Sequence, residues 1–79
     1  MIKARLYSLR QSMAAQNLDG MFFVNRANIR YLSGYTGDEA YVLISRDQQA
    51  LITDFRYQEQ AQAECPDYQV LIHHSPATP

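Results

Sequence analysis

The 79-residue sequence predicts an α/β fold, a mixed β-sheet flanked by helices. Three observations predict it. An apolar stripe at helical spacing opens the chain, and two β-prone runs, 40–45 and 50–53, flank a short polar connection and read as an antiparallel hairpin. The second of these runs is followed by a helical segment and then by another strand. That order requires a right-handed crossover, which lays the last strand, 68–72, parallel to a neighbour.

Helix 2–16 presents Ile2, Leu6, Leu9 and Met13 on one face and turns Lys3, Arg10 and Gln11 to water. Asn17 and Gly20 suit the left-handed conformation that ends a helix, with Leu18 folding back as the apolar contact. The continuous apolar run 21–24 (Met-Phe-Phe-Val) is expected near the sheet centre with both faces covered. Asn25 closes it. Asn28 is the expected N-cap of a short helix over 29–33, and Gly34 stops that helix.

Asp54 caps a helical segment over 55–64 in which Tyr57, Ala61 and Glu64 share a face, and Pro66 disfavours helical geometry at Cys65. Residues 73–79 carry two prolines and no periodicity, so they read as a linker or a cut end. A sheet closed by a strand and such a tail leaves apolar surface and a strand edge uncovered, and the chain is therefore expected to be incomplete and of low autonomous stability.

Composition narrows the function. At 79 residues the chain holds one small domain, burying about 60–65% of its unfolded surface. Apolar residues make up 47% and charged residues 19%, a globular composition. A formal charge of −1 offers no basic patch for nucleic acid. No apolar run is long enough for a membrane span. The positive residues of the first helix resemble a presequence, but its apolar stripe runs into a capped turn and a strand, which favours a docked helix. A lone Cys65 points to no oxidising compartment, so a reducing cytoplasm is the default.

No residues of the chain read as catalytic or metal-ligating. The acids are scattered apart from Asp38-Glu39, and the adjacent pair His73-His74 reads as solvated surface. Cys65 lacks a positioned base and reads as a structural cysteine. The next candidates are the two Arg-Tyr pairs, beside the glycine-bounded loop. Glycines 34 and 37 bracket a loop of defined shape that Tyr31 and Tyr35 decorate. Arg30-Tyr31 and Arg56-Tyr57 each open near a strand end. Arg56 has the fork to bind a carboxylate, with an ion pair to Asp54 as the rival role, and the tyrosine rings of both pairs are expected against the sheet.

The stretch 28–37 (Asn-Ile-Arg-Tyr-Leu-Ser-Gly-Tyr-Thr-Gly), the hairpin after it and the run 53–61 (Thr-Asp-Phe-Arg-Tyr-Gln-Glu-Gln-Ala) together resemble the N-terminal domain of the Xaa-Pro aminopeptidase, prolidase and creatinase family. The resemblance takes in the opening helix and the run 18–24, so it covers residues 2 to 72. It implies a ribonuclease H-like α/β domain, here truncated, with residues 73–79 outside it. It also implies that the catalytic metallopeptidase domain, with its two divalent metal ions (Mn, Co or Zn), lies elsewhere. Where relatives commonly carry Ser and Gly, this sequence has Asp38 and Phe55, which makes the loop more acidic.

The resemblance further implies a part of a cytoplasmic Xaa-Pro dipeptidase or aminopeptidase that shapes the substrate entrance for a proline-containing peptide and supports a homodimer. The candidates at that entrance are Tyr35, Asp38, Arg56 and Tyr57. A stand-alone binding or assembly module and the N-terminal domain of a creatinase-like amidinohydrolase are the alternatives. On each of these readings the chain alone is not catalytic.

Overall fold

A computed structural model describes residues 2–73. Eight elements follow in order: α1 (Ile2–Ala15), β1 (Gly20–Phe23), α2 (Arg26–Ser33), β2 (Ala40–Ser45), β3 (Gln49–Asp54), a 3-10 turn η1 (Phe55–Tyr57), α3 (Gln58–Glu64) and β4 (Gln69–His73). The strands form one sheet in the order β1-β2-β3-β4. β1–β2 and β2–β3 are antiparallel, and β3–β4 is parallel. The mixed sheet, the hairpin and the crossover through α3 are as the sequence predicts. Of the tail expected at 73–79, His73 closes β4 and the rest lies outside the described residues.

The core lies on one side of the sheet. Leu6 and Met13 of α1, Ile29 and Leu32 of α2 and Ala61 of α3 pack with Val42, Ile44 and Leu51 in one buried cluster. Strand side chains alternate between faces, so the opposite face presents Phe22, Tyr41, Leu43 and Leu71, each at least 40% exposed. Phe22 and Tyr41 stack there, with ring centroids 5.6 Å apart.

Several local expectations are corrected. The run 21–24 builds an edge strand rather than a central one, with Met21 and Phe23 half-buried and Phe22 and Val24 exposed. Its continuous apolarity reflects an outer face that is apolar as well, not two covered faces. Arg10 does not simply point to water. Its guanidinium donates to the Ser45 carbonyl at 2.8 Å, the Gln48 carbonyl at 2.7 Å and Gln49 Oε1 at 2.9 Å, fastening α1 to the β2–β3 turn. Asn17 takes φ 59° at the end of α1, and the Leu18 amide reaches back to the Met13 carbonyl at 2.8 Å. The segment 55–64 is a 3-10 turn followed by an α-helix rather than one continuous helix.

Candidate functional site

The helix that leads into the loop, α2, begins with a cap three residues earlier than expected. Asn25, not Asn28, is the N-cap: its Oδ1 accepts from the Ala27 amide at 2.8 Å and the Asn28 amide at 3.3 Å. Either asparagine has the chemistry. Starting at Arg26 gives the helix eight residues, and the longer helix closes more backbone bonds for one nucleation cost. Gly34 then stops it at φ 80°, donating its amide to the Arg30 carbonyl at 2.8 Å. A side chain there would be strained by the left-handed backbone and would meet Ile2 Cδ1 at 3.0 Å.

The carbonyls at the end of α2 are satisfied by residues beyond α3. Tyr68 donates its hydroxyl to the Leu32 carbonyl at 2.6 Å, and the Cys65 thiol donates to the Ser33 carbonyl at 3.3 Å. Burial pushes the Cys65 thiol above its ordinary pKa and does the same to the Tyr68 phenol, so both remain donors. Ser33 Oγ donates to the Ile29 carbonyl at 2.6 Å and accepts from the Tyr35 amide at 3.1 Å, turning the chain out of the helix. The buried structural role expected of Cys65 is the one it has.

Tyr35 is 1% exposed, so its ring is a post within the core and not a contact surface. Its hydroxyl donates to the Asp38 carbonyl at 3.3 Å. Gly37 packs against the hydroxyl end of that ring, and a Cβ at this position would meet the Tyr35 hydroxyl and lie 2.6 Å from Cζ. Thr36 is held from the other side by Glu64, with its amide 2.7 Å from Oε1 and its hydroxyl 2.9 Å from Oε2. Asp38 lies exposed and pairs with Arg26, also exposed. Glu39 takes φ 52°, and its carbonyl accepts from the Thr53 hydroxyl at 2.7 Å, which ties the loop to the end of β3.

The other two candidates follow β3. Asp54 Oδ1 accepts from the Arg56 amide at 2.9 Å and from Arg56 Nε at 3.2 Å, while Arg56 Nη2 lies 3.4 Å from Oδ2. The amide bond first, and then the guanidinium, hold the Asp54 carboxyl below its ordinary range. The intrachain ion pair expected as a rival to ligand binding is therefore formed. Arg56 also lies 5.4 Å from the centroid of the half-buried Tyr57 ring. Tyr31, expected against the sheet, is instead 56% exposed beneath the Arg5 guanidinium, 4.3 Å from its centroid. The inward stripe of α2 is Ile29, Leu32 and Ser33, which leaves Tyr31 outside it.

These pieces meet at one end of the sheet, where β1, β3 and β4 finish and β2 begins. The loop and η1 stand side by side there, because Ala40 pairs with Thr53. Between the loop and the sheet end lies a pocket of about 220 Å³, lined in part by Val24, Arg26, Gly37, Glu39, Tyr41 and His73. Sequence reasoning missed Arg26, Glu39, Tyr41 and His73 as its lining. The one available signal was topological: ligands of open α/β sheets gather beyond the carboxyl ends of parallel strands, where Asp54 and His73 lie paired. Among the described residues no three of His, Cys, Asp and Glu converge to hold a metal ion.

Comparison with known proteins follows the same outline. Residues 5–79 match the creatinase/prolidase N-terminal domain. An uncharacterised peptidase of Bacillus subtilis is 38% identical over 69 residues, covering 87% of this chain and 20% of that protein. The chain thus spans about one fifth of the length of that curated relative. A solved Xaa-Pro dipeptidase from Bacillus anthracis superposes with TM-score 0.86 at 33% identity over 92% of this chain and 21% of its own. The N-terminal domain of a cytoplasmic peptidase from Mycobacterium tuberculosis gives TM-score 0.84 at 39% identity, over 89% of this chain and 55% of that one.

Proposed function

The chain belongs to the creatinase/prolidase N-terminal domain family, and on that footing we propose that it is the non-catalytic N-terminal part of a metal-dependent Xaa-Pro dipeptidase or aminopeptidase. It shapes the substrate entrance and supports a homodimer. The observation that carries this reading is the superposition on the B. anthracis Xaa-Pro dipeptidase, which takes in nearly all of this chain and only 21% of that enzyme. The divalent metal ions belong on this reading to a catalytic domain outside these residues, and no catalytic step falls to this chain. A cytoplasmic setting is supported by the description of the M. tuberculosis relative.

At the entrance, Asp38, Arg56 and Tyr57 offer charge and a half-exposed ring to a proline-containing peptide. Tyr35 contributes by holding the loop from beneath. The reading is tested with a chimaera in which this chain replaces the matching part of the B. anthracis enzyme. The chimaera is expected to hydrolyse Xaa-Pro dipeptides and not creatine, and the chain alone to hydrolyse neither with added manganese. Turnover by the isolated chain, or a folded chimaera inert to Xaa-Pro dipeptides, refutes it.

A further inference from the structure

Glu64 closes α3, a position where the helix dipole disfavours an acid and favours a cation. Such a breach of local preference asks for a tertiary compensation, and one is present. Both carboxylate oxygens reach Thr36, 28 residues away, one through the amide at 2.7 Å and the other through the hydroxyl at 2.9 Å. Two bonds to one residue fix an orientation as well as a distance. Gln60, one turn earlier on α3, braces the contact with Nε2 at 3.3 Å from Glu64 Oε2 and 3.4 Å from Thr36 Oγ1.

The neighbouring residue doubles the attachment. Cys65 grips the Ser33 carbonyl on the other side of Gly34, so consecutive residues at the end of α3 hold both flanks of the glycine turn. Neither Glu64 nor Thr36 belongs to the rim's outward charges. We infer that Glu64 is a positioning residue: it sets the Thr36 peptide plane and so the direction in which the loop presents Asp38 and Glu39 at the rim. The structural half of this stands by itself. The functional half rests on the entrance reading proposed above.

Amide exchange measured by NMR on the full chain in trimethylamine N-oxide tests the structural half. Glu64→Ala is expected to speed exchange of the Thr36 amide about tenfold, the scale of one lost hydrogen bond, while the Val42 and Leu51 amides keep their rates. Thr36→Ser retains both donors and is expected to exchange as the parent does. Unchanged Thr36 exchange in Glu64→Ala overturns the inference, and so does a parallel rise at Val42 and Leu51, which would make Glu64 a general stabiliser.

The chimaera tests the functional half. There Glu64→Ala is expected to raise KM for an Xaa-Pro dipeptide about threefold or more while kcat stays within about twofold, the pattern of lost uniform binding. Faster Thr36 exchange with an unmoved KM refutes the entrance role and leaves the positioning of the loop intact. An inactive parent chimaera counts against the proposed function instead, and the exchange result then decides the positioning alone.

Discussion

Gly37→Ala tests whether the loop is built around the Tyr35 ring. A Cβ there would lie 2.6 Å from Tyr35 Cζ and 3.1 Å from Cε2. The ring cannot swing aside, because it is 1% exposed and packed in the core cluster. Overpacking of this kind costs about 1–3 kcal/mol. The same substitution removes unfolded-state freedom and returns about 0.4–1 kcal/mol. Because the ring is fixed, the overpacking cost falls in the upper half of its range, about 2–3 kcal/mol, and the net expectation is a loss of about 1–2.6 kcal/mol. For 79 residues at about 2.1 cal/mol/K each, one kcal/mol corresponds to about 6 °C in Tm, so the drop is about 6–16 °C. Urea and thermal unfolding in trimethylamine N-oxide measure it, since that osmolyte strengthens burial in a marginal chain. On a Tyr35→Leu background the cost of Gly37→Ala should shrink by about 1 kcal/mol, because the obstacle is gone. Strict additivity of the two substitutions, or a Gly37→Ala variant as stable as the parent, refutes the reasoning.

Three further outcomes are expected. Asp54 and Glu64 both have folded-state pKa values below their ordinary ones, held there chiefly by the Arg56 and Thr36 amides. Their contribution is present above the ordinary carboxylate range and is lost as pH falls through the folded values, so stability should begin to fall below about pH 4.5, the ordinary Glu value. Arg30 adds attraction at Glu64 and Arg56 at Asp54, so Arg56→Ala should move the Asp54 titration seen by NMR upward. The uncovered sheet face carries Tyr41, Leu43 and Leu71 beside the edge strands β1 and β4, so the chain should self-associate at high concentration. Leu43→Lys should suppress this in analytical ultracentrifugation with little loss of stability, and undiminished association would refute that assignment.

The parts of the fold legible in the sequence are those decided by neighbours in the chain. The hairpin, the parallel crossover through α3, the Gly34 stop and the Asp54 cap all follow from local pattern and element order. What failed depended on distant partners. A run of four apolar residues says that both faces of a strand are apolar, and it does not distinguish a central strand from an edge whose outer face is bare. Two asparagines three apart are equivalent caps until the length of the helix between strands decides. Of the loop tyrosines, Tyr35 goes inward because Gly34 reverses the chain just before it, and Tyr31 stays out because it falls off the stripe of α2. The clamps made by Arg10 and Glu64 join residues 28 to 39 positions apart and left no local trace, apart from an acid at the wrong end of a helix.

The division of labour at the rim bears on how its chemistry varies. Besides the Glu64 carboxylate on Thr36, neutral groups shape the loop from beneath: the Tyr35 phenol, the Ser33 hydroxyl, the Cys65 thiol and the Tyr68 phenol, all buried and all bonded to backbone. Burial raises the pKa of each of the two phenols and of the thiol, so their hydrogen bonds persist through neutral pH. The charges at the mouth lie outside this layer. Asp38 and Arg26 pair at the surface with most of their side chains in water, where the pair contributes little to stability. Substituting Asp38 therefore leaves the loop's supports in place and changes the field at its mouth. A loop held by neutral buried donors and by the Glu64 carboxylate can alter the charge it presents at Asp38 without altering its shape.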